Sequence, residues 1–91
     1  MAKRTDINQM EIMDKLRQVG ATVISLHTLG RDAPDILAGF CGRNYLIEIK
    51  YENGKLTPGQ KDWHSKWKGQ VHTAWTWQDA FRILNITIKG E

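Results

Sequence analysis

The sequence predicts a single α/β domain whose elements run α-β-β-β-α-β-α, and three observations carry that prediction. Ile12, Leu16 and Val19 recur at helical spacing ahead of Gly20. Two strand-like runs, "DILAGF" and "NYLIEIK", flank the short connection "CGR". Thr57 and Pro58 then open a second helical segment, as a cap followed by a proline at the first helical position. The chain has 91 residues, room for one core and no second, so the domain is expected to span 1–91 with its core over about 6–84. Apolar residues at 41% and charged residues at 25% place it among ordinary globular chains rather than disordered ones.

Taken in order, residues 6–19 read as the first helix, with Asp6 near its N-cap and Gly20 as its stop. Thr5, Asn8 and Gln9 extend the apolar stripe toward the N-terminus, so the inner face turns polar in its first turns. "TVISLH" (22–27) is a β-branched strand and "TLGRDAP" (28–34) a loop punctuated by Gly and Pro. The hairpin follows, then the polar loop "YENGKLT". The second helix runs through "PGQKDWHSKWKG" to Gly69, and Gln60, Trp63 and Trp67 share one of its faces. Core packing is the expected role of the two tryptophans. "QVHTAWT" (70–76) is a fourth strand, "WQDAFRIL" (77–84) a short last helix, and "NITIKGE" a tail or edge strand.

Charged residues seldom enter strand interiors unless they are paired, bind a metal or do chemistry. Glu48 and Lys50 do so here, and Asp35 follows a proline at the mouth of the hairpin. Alternation puts Leu46, Glu48 and Lys50 on one face of their strand. A two-residue loop, either Cys41-Gly42 or Gly42-Arg43, would bring Asp35 onto that face, opposite Glu48 or one pair away. A three-residue loop would separate them. Two carboxylates held together must bind a proton or share a cation. Hard oxygen ligands of this kind suit Mg²⁺ or Mn²⁺, with the Ile49 carbonyl as a further oxygen, while Lys50 can orient a water or balance charge on a phosphate. A structural carboxylate–lysine pair on a wet sheet edge explains the same pattern.

Pro34-Asp35, twelve residues and then Glu48-Ile49-Lys50 resemble the PD-(D/E)XK nuclease signature. Together with "LRQVGATV" before it and "LTPGQKDWHSKW" after it, the pattern resembles the virus-type replication-repair nucleases (VRR-Nuc), small phage-like members above all, and more distantly the archaeal Holliday junction resolvases. The resemblance covers roughly residues 6 to 80. It implies a restriction-endonuclease-like αβββαβ core with a mixed central sheet flanked by helices. It also implies Asp35, Glu48 and the Ile49 carbonyl as Mg²⁺ (or Mn²⁺) ligands, Lys50 as the catalytic lysine, and Gln60 as the helix glutamine beside the metal. Many relatives carry a glutamate on the first helix, eleven residues before its terminal glycine. Here that position is Gln9, a neutral amide and a weaker ligand. Asp6, Asn8 and Glu11 are nearby substitutes, Glu11 the poorer one because it is turned about 100° from the apolar stripe.

The implied activity is metal-dependent hydrolysis of DNA, selective for branched structures or four-way junctions, in replication, repair or recombination. The alternative is a nucleic-acid-binding module that kept the fold and lost catalysis. The formal charge of +3 is mild, but Lys3 and Arg4 at the start and Lys55, Lys61, Lys66 and Lys68 around the second helix form a basic stripe fit for backbone phosphates. No apolar run is long enough for a membrane span, and a single cysteine, Cys41, excludes an internal disulfide, so a cytoplasmic protein of a bacterium or phage-infected cell is expected. Cys41 is expected to be partly buried. His27, His64 and His72 show no metal-ligand spacing. A homodimer is expected, because a chain this small buries only about 60–65% of its unfolded surface.

Overall fold

In the computed structural model, which describes residues 3–90, the helices α1 (Arg4–Gln18), α2 (Pro58–Lys66) and α3 (Trp77–Ile83) accompany strands β1 (Thr22–Ser25), β2 (Ile36–Phe40), β3 (Arg43–Ile49) and β4 (Val71–Ala74). The element order is the expected one. The strands form one sheet in the order β1-β2-β3-β4, antiparallel except for the parallel β3–β4 pair. That parallel pair needs a crossover, which the segment carrying α2 supplies.

One face of the sheet carries the core. Val23, Ile36, Ala38, Tyr45, Ile47, Ile49 and Ala74 point to it and are buried, and α1 and α3 close over them with Ile12, Leu16, Ala80 and Phe81. Fully burying a side chain such as Ile12 or Leu16 stabilises by about 1.5–3 kcal/mol. α1 begins two residues before the predicted start. Lys3 holds the cap position, and Asp6 sits inside the helix, where its carboxylate accepts from the Lys3 backbone N–H at 3.3 Å. Val19 is exposed rather than part of the core stripe, because the helix ends at Gln18 and Ala21 fills the buried position after the turn.

The hairpin turns through Cys41 and Gly42, both left-handed at φ 51° and 76°, the geometry of a tight two-residue loop. Cys41 therefore stands exposed at the turn tip, not partly buried as the sequence suggested. β1 stops at Ser25, short of His27, and residues 85–90 form no strand. Ile86 and Ile88 instead lean on the core. Glu91, the end of the tail, lies outside the described residues.

The opposite face of the sheet is covered far less. α2 has no buried residue, and its tryptophans do not enter the core. Trp63 is half-buried, Trp67 is 46% exposed, and the two stack on each other at 4.9 Å with their planes 15° apart. The reason is geometric: the core lies on the far side of the sheet, so α2 can reach only the face that bears Glu48.

Candidate active site

The two-residue turn decides the site. With Ile36 paired to Ile47, one further step sets Asp35 across from Glu48 on the thinly covered face. The Asp35 backbone N–H donates to the Ile47 carbonyl at 3.1 Å, and its carboxylate Oδ2 accepts from the Ile49 N–H at 2.6 Å. The carboxylate is thus fixed by the backbone of the strand that carries Glu48. The Ile49 side chain points into the core while its backbone runs past the site.

Glu48 is 3% exposed. Burial, then a hydrogen bond to Asp35 and the Asp35 charge, push its carboxyl up to about 8, against a smaller opposing pull from Lys50. As an acid it donates to Asp35. As a carboxylate it leaves Oε1 buried with no partner. A buried polar atom without a partner needs an explanation, and a bound cation is one. A buried carboxylate with a free oxygen and a half-buried one across from it, beside a strand backbone, fit a hard divalent cation that completes its shell with water. Among the described residues no three His, Cys, Asp or Glu side chains converge on one point, so the protein would supply two carboxylates and not a closed cage.

Gln60 ties the site to α2. Its Oε1 accepts from Lys50 Nζ at 2.6 Å and from the Thr57 backbone N–H at 2.9 Å, while its Nε2 donates to Glu48 Oε2 at 3.3 Å. Thr57 Oγ1 accepts from the Gln60 N–H in return, closing the capping box that starts the helix. The same amide therefore caps α2, holds the Lys50 ammonium and touches Glu48. Its orientation is unambiguous, because two donors face the oxygen and a carboxylate faces the nitrogen.

Three residues join this group: Asn8, which the sequence offered only as a substitute for the first-helix acid, and two that sequence reasoning did not assign to it. Asn8, nearly buried, donates from Nδ2 to the carbonyls of Lys50 at 2.7 Å and Trp75 at 2.9 Å, and so binds α1 to the ends of β3 and β4. Its place on the polar end of the helical stripe was the available signal. Asp32 lies against the first turn of α2: a Cβ on Gly59 would come within 2.7 Å of both its carboxylate oxygens, and its charge adds to the upward push on Glu48. Only a glycine at 59 leaves room for that approach. His64, one turn after Gln60, has a buried Nε2 without a partner, and burial followed by the Lys50 charge lowers its pKa.

Asp35, Glu48, Lys50 and Gln60 are thus brought together. Gln9 is not joined to them. It is half-buried, its amide nitrogen sits 3.9 Å from Met13 Sδ, and no hydrogen bond links it to the other four among the described residues. Lys3, Arg4, Lys55 and Lys61 are all exposed, whereas Lys66 is paired with Asp62 at 2.9 Å.

No protein-family model matches the chain, and no curated protein matches it in sequence. A solved structure described as a VRR_NUC domain superposes with a TM-score of 0.75 at 23% identity, covering 92% of this chain and 97% of that one. That superposition spans nearly the full length of both chains, and this chain has the fold of a VRR_NUC domain.

Proposed function

We propose that the protein is a metal-dependent nuclease that hydrolyses DNA phosphodiester bonds, acting as a structure-selective endonuclease on branched DNA. The observation that carries this reading is the buried Glu48, its Oε1 unpartnered, set across from Asp35 and beside a lysine held at 2.6 Å by Gln60. The VRR_NUC likeness supports it at the level of fold. Asp35, Glu48 and the Ile49 carbonyl would hold Mg²⁺ or Mn²⁺. When bound, the ion supplies Lewis-acid activation of water and neutralises charge on the phosphate. Lys50 keeps a cation at the reacting phosphorus, and two of its three ammonium hydrogens remain for a water and a phosphate oxygen after Gln60 takes the first. Gln60 holds that ammonium in place, so little is reorganised when charge develops in the transition state. Lys3, Arg4, Lys55 and Lys61 would meet backbone phosphates without reading sequence. Incubating the protein with labelled linear, flapped and four-way-junction DNAs, with and without Mn²⁺, tests the reading. Absence of metal-dependent cutting on every substrate would sink it.

The neutral amide at position 9 makes a second test. Gln9→Glu adds a charge to the half-buried side of α1 and is expected to tighten Mn²⁺ binding severalfold by calorimetry. Unchanged affinity would show that α1 stays out of the site.

A homodimer is the assembly expected on symmetry grounds. One site per chain cuts one strand, and a two-fold dimer would present two sites to the near two-fold symmetry of a four-way junction. Light scattering at micromolar concentration is expected to return about twice the 10.5 kDa chain mass. A monomer there would remove the paired-cut arrangement. No helix among the described residues is long and apolar enough to cross a membrane.

A further inference from the structure

On the same face of the sheet as the carboxylates lies a groove of about 480 Å³, within the size range of small-ligand sites. Leu26, Leu29, Leu37, Leu46 and Trp67 line it. Leu37 follows Asp35 by two residues and Leu46 precedes Glu48 by two, so both share the carboxylates' face about 7 Å along the strands. The groove and the proposed metal site are therefore neighbours on one continuous surface.

Its chemistry is specific in what it lacks. No residue lining the groove carries a charge, so nothing there would hold a phosphate. A flat, uncharged ring with polar edges fits better. Trp67 offers an exposed indole that is held in place by stacking on Trp63. A Cβ on Gly69 would come within 2.9 Å of the indole Nε1, so the glycine lets the ring lie close to the chain. The Asn44 amide, also in the lining, provides a donor and an acceptor for a base edge. The Gln70 amide is engaged already, its Nε2 donating to the Asn44 carbonyl at 3.4 Å and its Oε1 paired with His72 Nε2 at 3.2 Å.

We propose that this groove takes an unpaired nucleobase of the DNA strand, next to the phosphate held at Asp35 and Glu48. The inference rests on the nuclease reading above and narrows its substrate class to DNA with unstacked bases, as at flaps and junctions. Bases inside a duplex have their faces covered by stacking and cannot enter without being extruded. A second copy of this chain seated on the groove would instead obstruct the approach to the carboxylates on the same face.

The test is a binding measurement on the metal-free protein, which cannot cut by the proposed route. Fluorescence anisotropy compares a labelled hairpin carrying one extrahelical thymine with the same hairpin carrying an abasic site there. The thymine hairpin is expected to bind about tenfold tighter, as stacking one base on an aromatic ring supplies. Trp67→Ala should lose the preference and Trp67→Phe keep it. Leu29→Ser, at a position 64% exposed and so outside the core, should narrow it. All variants should bind a fully paired hairpin as the parent does. Equal binding of the two hairpins by the parent overturns the groove assignment and leaves the nuclease reading standing. Failure to bind any DNA overturns both. If Trp67→Ala keeps the preference but halves the mass in light scattering, the groove belongs to a second copy and the proposal fails.

Discussion

Asp35→Asn, Glu48→Gln and Lys50→Ala are each expected to lower metal-dependent DNA cleavage by at least about 100-fold while the fold persists. Charge stabilisation that strengthens in the transition state is worth several kcal/mol, and each 1.36 kcal/mol is a factor of ten in rate. The three should differ in binding. The Asn and Gln substitutions remove a charged oxygen ligand, so calorimetric Mn²⁺ affinity should fall. Lys50→Ala should leave that affinity intact or raise it, because the lysine places a cation beside the carboxylates, within reach of Gln60 Oε1 at 2.6 Å. Circular dichroism should show all three folded, since an Asn at 35 keeps an oxygen for the Ile49 N–H and the core lies on the other face of the sheet. Three variants that cut as well as the parent would show that the site lies elsewhere. Loss of cutting with unchanged Mn²⁺ affinity in both carboxylate variants would show that the pair does not hold the ion.

The metal-free protein should lose stability as pH rises from about 4.5 to about 8, by a few kcal/mol. Burial and the neighbouring Asp35 lift Glu48 from 4.5 to about 8 in the folded state. Across that window the native protein keeps a proton that the unfolded chain has released. The unfolded state therefore binds fewer protons, and the free energy of unfolding falls with pH. The contribution is complete below the unfolded pKa and gone above the folded one. His64 and His72 act in the opposite sense. Burial lowers both, so their contribution rises with pH through 6.5 and levels off about a unit above it. Subtracting the Glu48→Gln curve from the parent curve in urea unfolding between pH 6.5 and 8 thus isolates Glu48. Glu48→Gln should show no fall across this range and should be more stable than the parent at pH 8. A difference with no downward slope there would mean that the carboxyl pair does not retain its proton.

Much of this arrangement was legible in the residues. Period-two alternation places Glu48 on the face opposite the core-facing Ile47 and Ile49, whatever the rest of the chain does. The Thr57-Pro58 start of α2 is a local capping signal, and the Thr57–Gln60 box formed as such signals form. The element order followed from local periodicity and turn residues in the same way. Other readings failed where local pattern had to stand for tertiary packing. Trp63 and Trp67 sit at core-like helical spacing, yet they pack on each other because α2 meets the sheet face away from the core. Val19 continued the apolar stripe on paper, but the helix ended before the stripe could use it.

The sequence by itself thus determined the element order, the strand faces and the residue types available to the site. Tertiary structure alone decided their convergence. Cys41 and Gly42, rather than Gly42 and Arg43, make the turn, and this choice sets Asp35 across from Glu48. The joint use of Gln60 by Thr57, Lys50 and Glu48, the reach of Asn8 to carbonyls 42 and 67 residues away, and the close approach of Asp32 to Gly59 likewise depend on how distant segments pack. Alternation and helical period are properties of a few consecutive residues, set by backbone geometry. Contacts between segments exist only after the apolar faces of α1, α3 and the sheet have closed on one another.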